Sequence, residues 1–174
     1  MFSILIGLSD EYIKNYRLNK REAIRGIIIK NNKLMMIKTN RGDFKFPGGG
    51  IKGTENKTEA LKREIEEESG YKVKDIGSLI GVVVERRHDL FDRNAVFEMI
   101  SYYYLCEVSE TRSNQRLDPY EIAQEFKPVW VDINEAILNN ETLINAKSEN
   151  INDWVKRETM VLKEIRRMLT EGAI

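Results

Sequence analysis

Residues 49–71 read G-G-I-K-G-T-E-N-K-T-E-A-L-K-R-E-I-E-E-E-S-G-Y, and no other stretch restricts the fold as tightly. A glycine-rich loop runs into a helix that carries Glu64, Glu67 and Glu68 at spacings i, i+3 and i+4. At about 100° per residue the three carboxylates fall within roughly one third of the helix circumference. Like charges held so close repel, so the arrangement calls for a cation among them. Oxygen-only ligands suit a hard ion such as Mg2+ or Mn2+. The segment therefore points to metal-dependent phosphate chemistry.

Its neighbours fit that reading. Ala60 lies one turn before Glu64 on the carboxylate side, where a small side chain leaves room for an ion and a substrate. Leu61 and Ile65 form the stripe expected to anchor the helix to the core. Thr58 is the expected N-cap, and Gly70 stands where a left-handed residue ends a helix. Gly48, Gly49 and Gly50 follow Phe46-Pro47, so backbone can approach a ligand closely just before the helix. The competing reading is a solvated acidic helix in a chain that is 32% charged, and spacing alone does not decide between the two.

The full pattern resembles the signature of the Nudix hydrolase superfamily, G-x5-E-x7-R-E-U-x-E-E-x-G-U, where U is a bulky apolar residue. Gly49, Glu55, Arg63, Glu64, Ile65, Glu67, Glu68, Gly70 and Tyr71 occupy its nine defined positions, and Tyr71 stands where an aliphatic residue is more usual. The resemblance implies an α/β/α sandwich with a mixed β-sheet between helices. It implies hydrolysis of a nucleoside diphosphate linked to another moiety, by attack of water on one phosphorus of the pyrophosphate. One to three divalent ions, Mg2+ or Mn2+, would neutralise charge on the phosphate oxygens and deprotonate the water. By carry-over along the motif, Glu64, Glu67 and Glu68 are the side-chain metal ligands and the Gly48 carbonyl is a backbone ligand. Arg63 and Glu55 are expected as an ion pair holding loop to helix, and Gly49 and Gly50 shape the substrate loop. The superfamily does not keep its general base in one place. Glu64 and Glu67 are candidates within the motif. Outside it, Glu121 and Glu125 lie in the polar stretch before Trp130, and Glu125 is the one taken as catalytic.

At 174 residues the chain suits one domain, spanning 1–174 with an N-terminal extension at 1–20 and a C-terminal amphipathic helix at 150–171. Lys plus Arg and Asp plus Glu each number 28, and this balance argues against general nucleic-acid binding. The single Cys106 leaves no disulfide framework and no cysteine metal site. Residues 1–8 are apolar but are followed at once by Asp10 and Glu11, without the basic start of a secretion signal, and no run approaches a membrane span. The expectation is a cytoplasmic monomer or homodimer that meets a small nucleotide and neither nucleic acid nor membrane.

The remaining chain reads as alternating elements. Apolar runs at 23–29 and 34–39 flank Lys30-Asn31-Asn32-Lys33, a hairpin pattern. Strand-like runs follow at 72–85, 95–108 and 129–131, with a charged loop at 86–94 and a polar stretch at 110–127. Asp132 caps a short helix through Leu138, and Ile151, Trp154, Val155, Glu158, Val161, Leu162, Ile165 and Leu169 share one mostly apolar helical stripe with Trp154 as a core anchor. Arg86 and Arg87 in the charged loop are expected to contact substrate phosphate or base, and His88 beside them is a weaker candidate. Glu98 is an unusual charge on an apolar strand, either reaching the site or held in an ion pair. Among Tyr102, Tyr103 and Tyr104, sheet packing competes with stacking on a nucleobase.

Three subclass motifs are missing: the proline about fifteen residues past the signature that marks ADP-ribose hydrolases, the NADH pyrophosphatase array, and the coenzyme A motif before F-P-G-G. That leaves a small MutT-like hydrolase with a nucleoside triphosphate as default substrate. The alternative is a catalytically weak Nudix domain acting as a nucleotide sensor or interaction module, against which all three acidic positions are retained. An isopentenyl diphosphate isomerase shares the fold, but its site uses a cysteine, and Cys106 lies in a strand-like run.

Overall fold

A computed structural model describes residues 1–146 and 151–174 of the chain. In order it contains β1 (Phe2–Gly7), α1 (Asp10–Ile13), β2 (Arg17–Ile27), β3 (Ile29–Lys30), β4 (Lys33–Lys38), β5 (Phe44–Lys45), α2 (Lys57–Ser69), β6 (Tyr71–His88), β7 (Ala95–Arg112), α3 (Pro119–Ala123), β8 (Lys127–Val131), α4 (Ile133–Asn145) and α5 (Val155–Thr170). The two longest strands, β6 and β7, both well supplied with β-branched and aromatic residues, pair antiparallel at the centre of a sheet ordered β1-β6-β7-β2. Both outer strands run parallel to their neighbours, so the sheet is mixed. The first twenty residues are more than an extension, because β1 is one edge of this sheet.

A smaller sheet is built around β4, which pairs with β3, β5 and β8. Asn31 and Asn32 have φ of 50° and 59°, the double left-handed turn that a two-residue hairpin needs. Helices cover both faces. On one, Ala60, Leu61 and Ile65 of α2 pack with Ile24, Ile28, Met35 and Cys106. On the other, Ile137 of α4 and Val161, Leu162 and Ile165 of α5 pack with Ile27, Phe46, Val83 and Tyr103. The result is the expected α/β/α sandwich. No helix of the described residues is long and apolar enough to cross a membrane.

The outer edge of β2 is not bare. Gly26 N–H donates to Pro47 O (2.9 Å), Ile24 N–H to Gly49 O (2.9 Å), and Ile51 N–H to Glu22 O (3.1 Å). The glycine loop therefore lies along β2 as a short irregular strand, which seals a free edge and fixes the loop against the sheet.

Several boundaries differ from the sequence reading, each for a local reason. Helix α2 is capped by Asn56 rather than Thr58, because Asn56 and Glu59 exchange bonds: Glu59 N–H to Asn56 Oδ1 at 3.0 Å and Asn56 N–H to the Glu59 carboxylate at 2.9 Å. Arg86, Arg87 and His88 belong to strand β6 rather than to a loop, with Arg86 directly opposite Glu98 on β7. Helix α4 continues past Leu138 to Asn145, since the buried Asn140 side chain bonds both N–H and C=O of Phe44 and so keeps the following turn docked. The C-terminal helix, expected over 150–171, begins at Val155, and residue 150 lies outside the described residues.

Candidate active site

Helix α2 sets the floor of the site. Its buried stripe locks its rotation, and Gly70 ends it in the left-handed region at φ 76° with its N–H bonded to Glu66 O at 2.9 Å. Ala60 turns into the apolar cluster with Leu61 rather than lining an open space. The acidic face that remains divides unequally. Glu64 and Glu68 are 5% and 1% exposed, whereas Glu67 is half-buried.

A third buried carboxylate joins Glu64 and Glu68, and it comes from outside the signature. One carboxylate oxygen each from Glu64, Glu68 and Glu121 lies within 4.8 Å of the others. Residues 113–118 wrap the end of α2 to deliver it: Ser113 N–H bonds Gly70 O (2.8 Å), Arg116 N–H bonds Glu67 O (2.9 Å), and the Gln115 amide bonds Glu68 O (2.5 Å). Asp118 and Pro119 then start α3, and Glu121 bonds back to Asp118 N–H at 2.9 Å. The sequence carried the signal for this, since D-P-Y-E places a cap, a first-turn proline and a reciprocating glutamate in order. Glu125, the catalytic candidate of this stretch, faces solvent instead. It ends the helix in a left-handed conformation at φ 52° and pairs with Lys127 at 3.3 Å.

Two cations hold Glu64 and Glu68. Arg63 chelates Glu55 with Nε at 3.0 Å and Nη2 at 2.6 Å, and its Nη1 reaches Glu64 at 2.6 Å and Glu67 at 3.2 Å. This is the expected loop-to-helix clamp, and its hydrogen bonds draw the Glu55 carboxyl down to about 2. Lys45, itself buried, donates to Glu68 at 2.5 Å and to the Gly48 carbonyl at 3.3 Å. Burial pushes the Glu68 carboxyl up to about 7, against the opposing pull of Lys45 and of the Gly48 N–H at 2.9 Å.

These groups fit a divalent ion. Three buried carboxylates and a carbonyl form an oxygen-only donor set. The Lys45 ammonium already bridges two of its members, Glu68 and Gly48, as a cation would. The loop is shaped around the same groups. A Cβ on Gly49 would lie 2.3 Å from Glu64 Oε2, and one on Gly48, at φ +136°, would lie 2.1 Å from the Ile24 carbonyl.

Beside the loop opens a cleft of about 660 Å³ whose walls include Arg21, Arg25, Lys45, Arg87, Tyr120 and Trp154. The carboxylates stand just behind this wall: Glu64 lies against Gly49, Glu68 bonds Lys45, and Glu121 follows Tyr120 in the chain. Gly48, Gly49, Gly50, Arg86 and Arg87 all border the cleft. Arg87 is exposed, with its guanidinium 5.1 Å from the Phe97 ring centre. Arg86 is held by Glu98 (2.7 Å) and Asp10 (2.6 Å), so Glu98 sits in an ion pair, joined by Lys20 at 3.4 Å. His88 is exposed and bonds Tyr12 at 3.3 Å. Tyr103 is buried, and Tyr102 donates to Glu22 at 2.6 Å beneath the Lys57 ammonium. Trp154 is half-buried: it packs against the cluster under α2, edge-on to Phe126, and also borders the cleft, with its indole N–H held by Asp43 at 2.8 Å.

Fold and site together define an α/β/α sandwich with a glycine loop and an acidic helix beneath a cationic cleft. The NUDIX domain model matches residues 20–155, and the chain belongs to that family. It is 35% identical over 102 residues to an ADP-ribose pyrophosphatase of Methanocaldococcus jannaschii, covering 55% of this chain and 57% of that protein. It is 45% identical over 53 residues to an 8-oxo-dGTP diphosphatase of Buchnera aphidicola subsp. Schizaphis graminum, covering 28% of this chain and 41% of the relative. The chain thus matches about half the length of these curated relatives. In fold it resembles a NUDIX hydrolase from Nitrosomonas europaea, with a TM-score of 0.57, 15% identity, and coverage of 84% of this chain and 90% of the other.

Proposed function

We propose that the protein hydrolyses the pyrophosphate bond of a nucleotide in a reaction that depends on Mg2+ or Mn2+. The observation that carries this is the buried trio Glu64, Glu68 and Glu121, gathered within 4.8 Å beside a glycine loop and a cleft edged with arginines. Glu64, Glu68, Glu121 and the Gly48 carbonyl would hold the ion, which would neutralise charge on the phosphate oxygens and acidify the attacking water. Arg63 keeps Glu64 and Glu67 in place through its clamp on Glu55. Glu67, the signature carboxylate outside the trio, is the group assigned to receive the proton of the attacking water. Arg21 and Arg87 face the cleft and meet the remaining phosphate charge.

The default substrate is a nucleoside triphosphate, in keeping with the name of the Buchnera relative. The name of the Methanocaldococcus relative favours a second reading, a nucleoside diphosphate sugar such as ADP-ribose. A hydrolysis screen decides between them: dGTP, 8-oxo-dGTP and ADP-ribose, each with Mg2+ and with Mn2+, scored for pyrophosphate or nucleoside monophosphate. Turnover in EDTA equal to that with metal would overturn the proposal.

A further inference from the structure

Arg25 carries a charge that the protein does not balance. It lies on β2 with 7% of its surface exposed and borders the cleft. Its Nη1 donates to the Gly48 carbonyl, while its Nε is buried without a hydrogen-bond partner. Among the described residues no carboxylate lies within ion-pair distance of it. The other buried or half-buried cations of the cleft are all matched: Lys45 by Glu68, Arg86 by Glu98 and Asp10, and Arg157 by Glu85 and Glu158.

A guanidinium keeps its charge at any pH a protein meets, and burying one without an anion costs several kcal/mol. Nothing in the packing requires it, since its neighbours on the same face of β2, Ala23 and Ile27, are buried apolar residues. The donors left over at Arg25 sit beside Gly48, where the glycine loop meets the cleft. Planar, fork-shaped N–H groups in that position match a phosphate group.

We propose that Arg25 is a substrate-binding residue whose partner is a phosphate group of the nucleotide. The assignment rests on the functional reading above and adds to it the group that anchors the phosphate beside Gly48. It also carries a distinctive sign: the residue weakens the free protein and strengthens the complex.

The test uses Arg25→Met, which keeps the length and removes the charge, and Arg25→Lys, which keeps the charge and loses the fork. Three quantities are read: the melting temperature without ligand, the rise in melting temperature caused by inorganic pyrophosphate in EDTA, and KM and kcat for the best substrate. Arg25→Met should melt at or above the wild-type temperature, lose the pyrophosphate-induced rise, and raise KM at least tenfold with a smaller change in kcat. Arg25→Lys should fall between the two. Overturning results are a Met variant that melts well below wild type or fails to fold, a Lys variant with unchanged KM and pyrophosphate response, or a wild-type protein that pyrophosphate does not stabilise. If the wild type binds pyrophosphate through Arg25 yet hydrolyses no nucleotide, the functional reading falls and the anion site stands.

Discussion

Adjacent glycines of the loop should fail in opposite ways when each receives one methyl group. At Gly48 the added Cβ meets backbone, the Ile24 carbonyl at 2.1 Å and Arg25 Cα at 2.9 Å, and φ is +136°. Nothing there can rotate away. The strain costs about 1–3 kcal/mol. Pulling the loop from β2 weakens the Gly26–Pro47 and Ile24–Gly49 hydrogen bonds, at about 1 kcal/mol each. A loss near 3 kcal/mol lowers the melting temperature of a domain this size by roughly 6–12 °C. At Gly49, where φ is not positive, the Cβ meets only the end of a side chain, Glu64 Oε2 at 2.3 Å, so ordinary contact at 3.4 Å requires the carboxylate to retreat by about 1.1 Å. Gly49→Ala should therefore stay within about 3 °C of wild type, since an unstrained Gly→Ala change is neutral or mildly stabilising. Its kcat should drop on the order of 100-fold, the usual effect of a misplacement of about 1 Å at a reacting centre. Differential scanning fluorimetry and steady-state kinetics on the two variants settle it. Wild-type turnover by Gly49→Ala would show that the position of Glu64 does not matter. A Gly48→Ala protein as stable as wild type would refute the seam along β2.

Four further outcomes are expected. Mn2+ or Mg2+ should raise the melting temperature with ion concentration, and the rise should shrink in Glu121→Gln as in Glu64→Gln; an undiminished rise in Glu121→Gln would remove that residue from the site. Asn56→Ala should cost about 1 kcal/mol, a drop of about 2–4 °C, and a silent Asn56→Ala beside a destabilising Thr58→Ala would restore the cap to Thr58. Because the Glu55 carboxyl is lowered to about 2 from its ordinary 4.5, its pairing with Arg63 stabilises the fold above pH 4.5 and loses that contribution as pH falls through 2. The melting-temperature gap between wild type and Glu55→Gln should accordingly close over that window, and a gap constant with pH would refute the pairing. Arg87→Ala should raise KM without loss of stability, whereas Arg86→Ala should destabilise by leaving Glu98 buried without its close partner; thermal melts of equal midpoint for both variants would contradict this.

Helix α2 was legible, apart from its cap, because what defines it is local: an apolar stripe, an acidic face and a terminal glycine within some twenty residues. The hairpin at Asn31-Asn32 and the central strands were legible for the same reason. What escaped the sequence depends on partners far along the chain. Arg86 reads as loop because charges cluster around it, yet Glu98, twelve residues on, makes it a strand residue. Trp154 reads as core from its helical stripe and does pack on the core, but its second place on the cleft wall depends on Asp43, 111 residues away, which holds its indole N–H. Glu121 and Glu125 are alike in composition and context, and only the capping geometry of α3 turns one inward and the other out.

The wrap at 113–118 brings to the site a charge that the signature does not encode. Glu64 and Glu68 ride on a rigid helix, but Glu121 hangs from a strap fastened by Gln115 and Arg116 to the last turn of that helix. Lengthening the strap by one residue would rotate α3 and withdraw the third carboxylate while every signature position stayed intact. Chains with identical signatures can thus differ in the charge they offer a cation, and the register of a short connecting segment sets that difference.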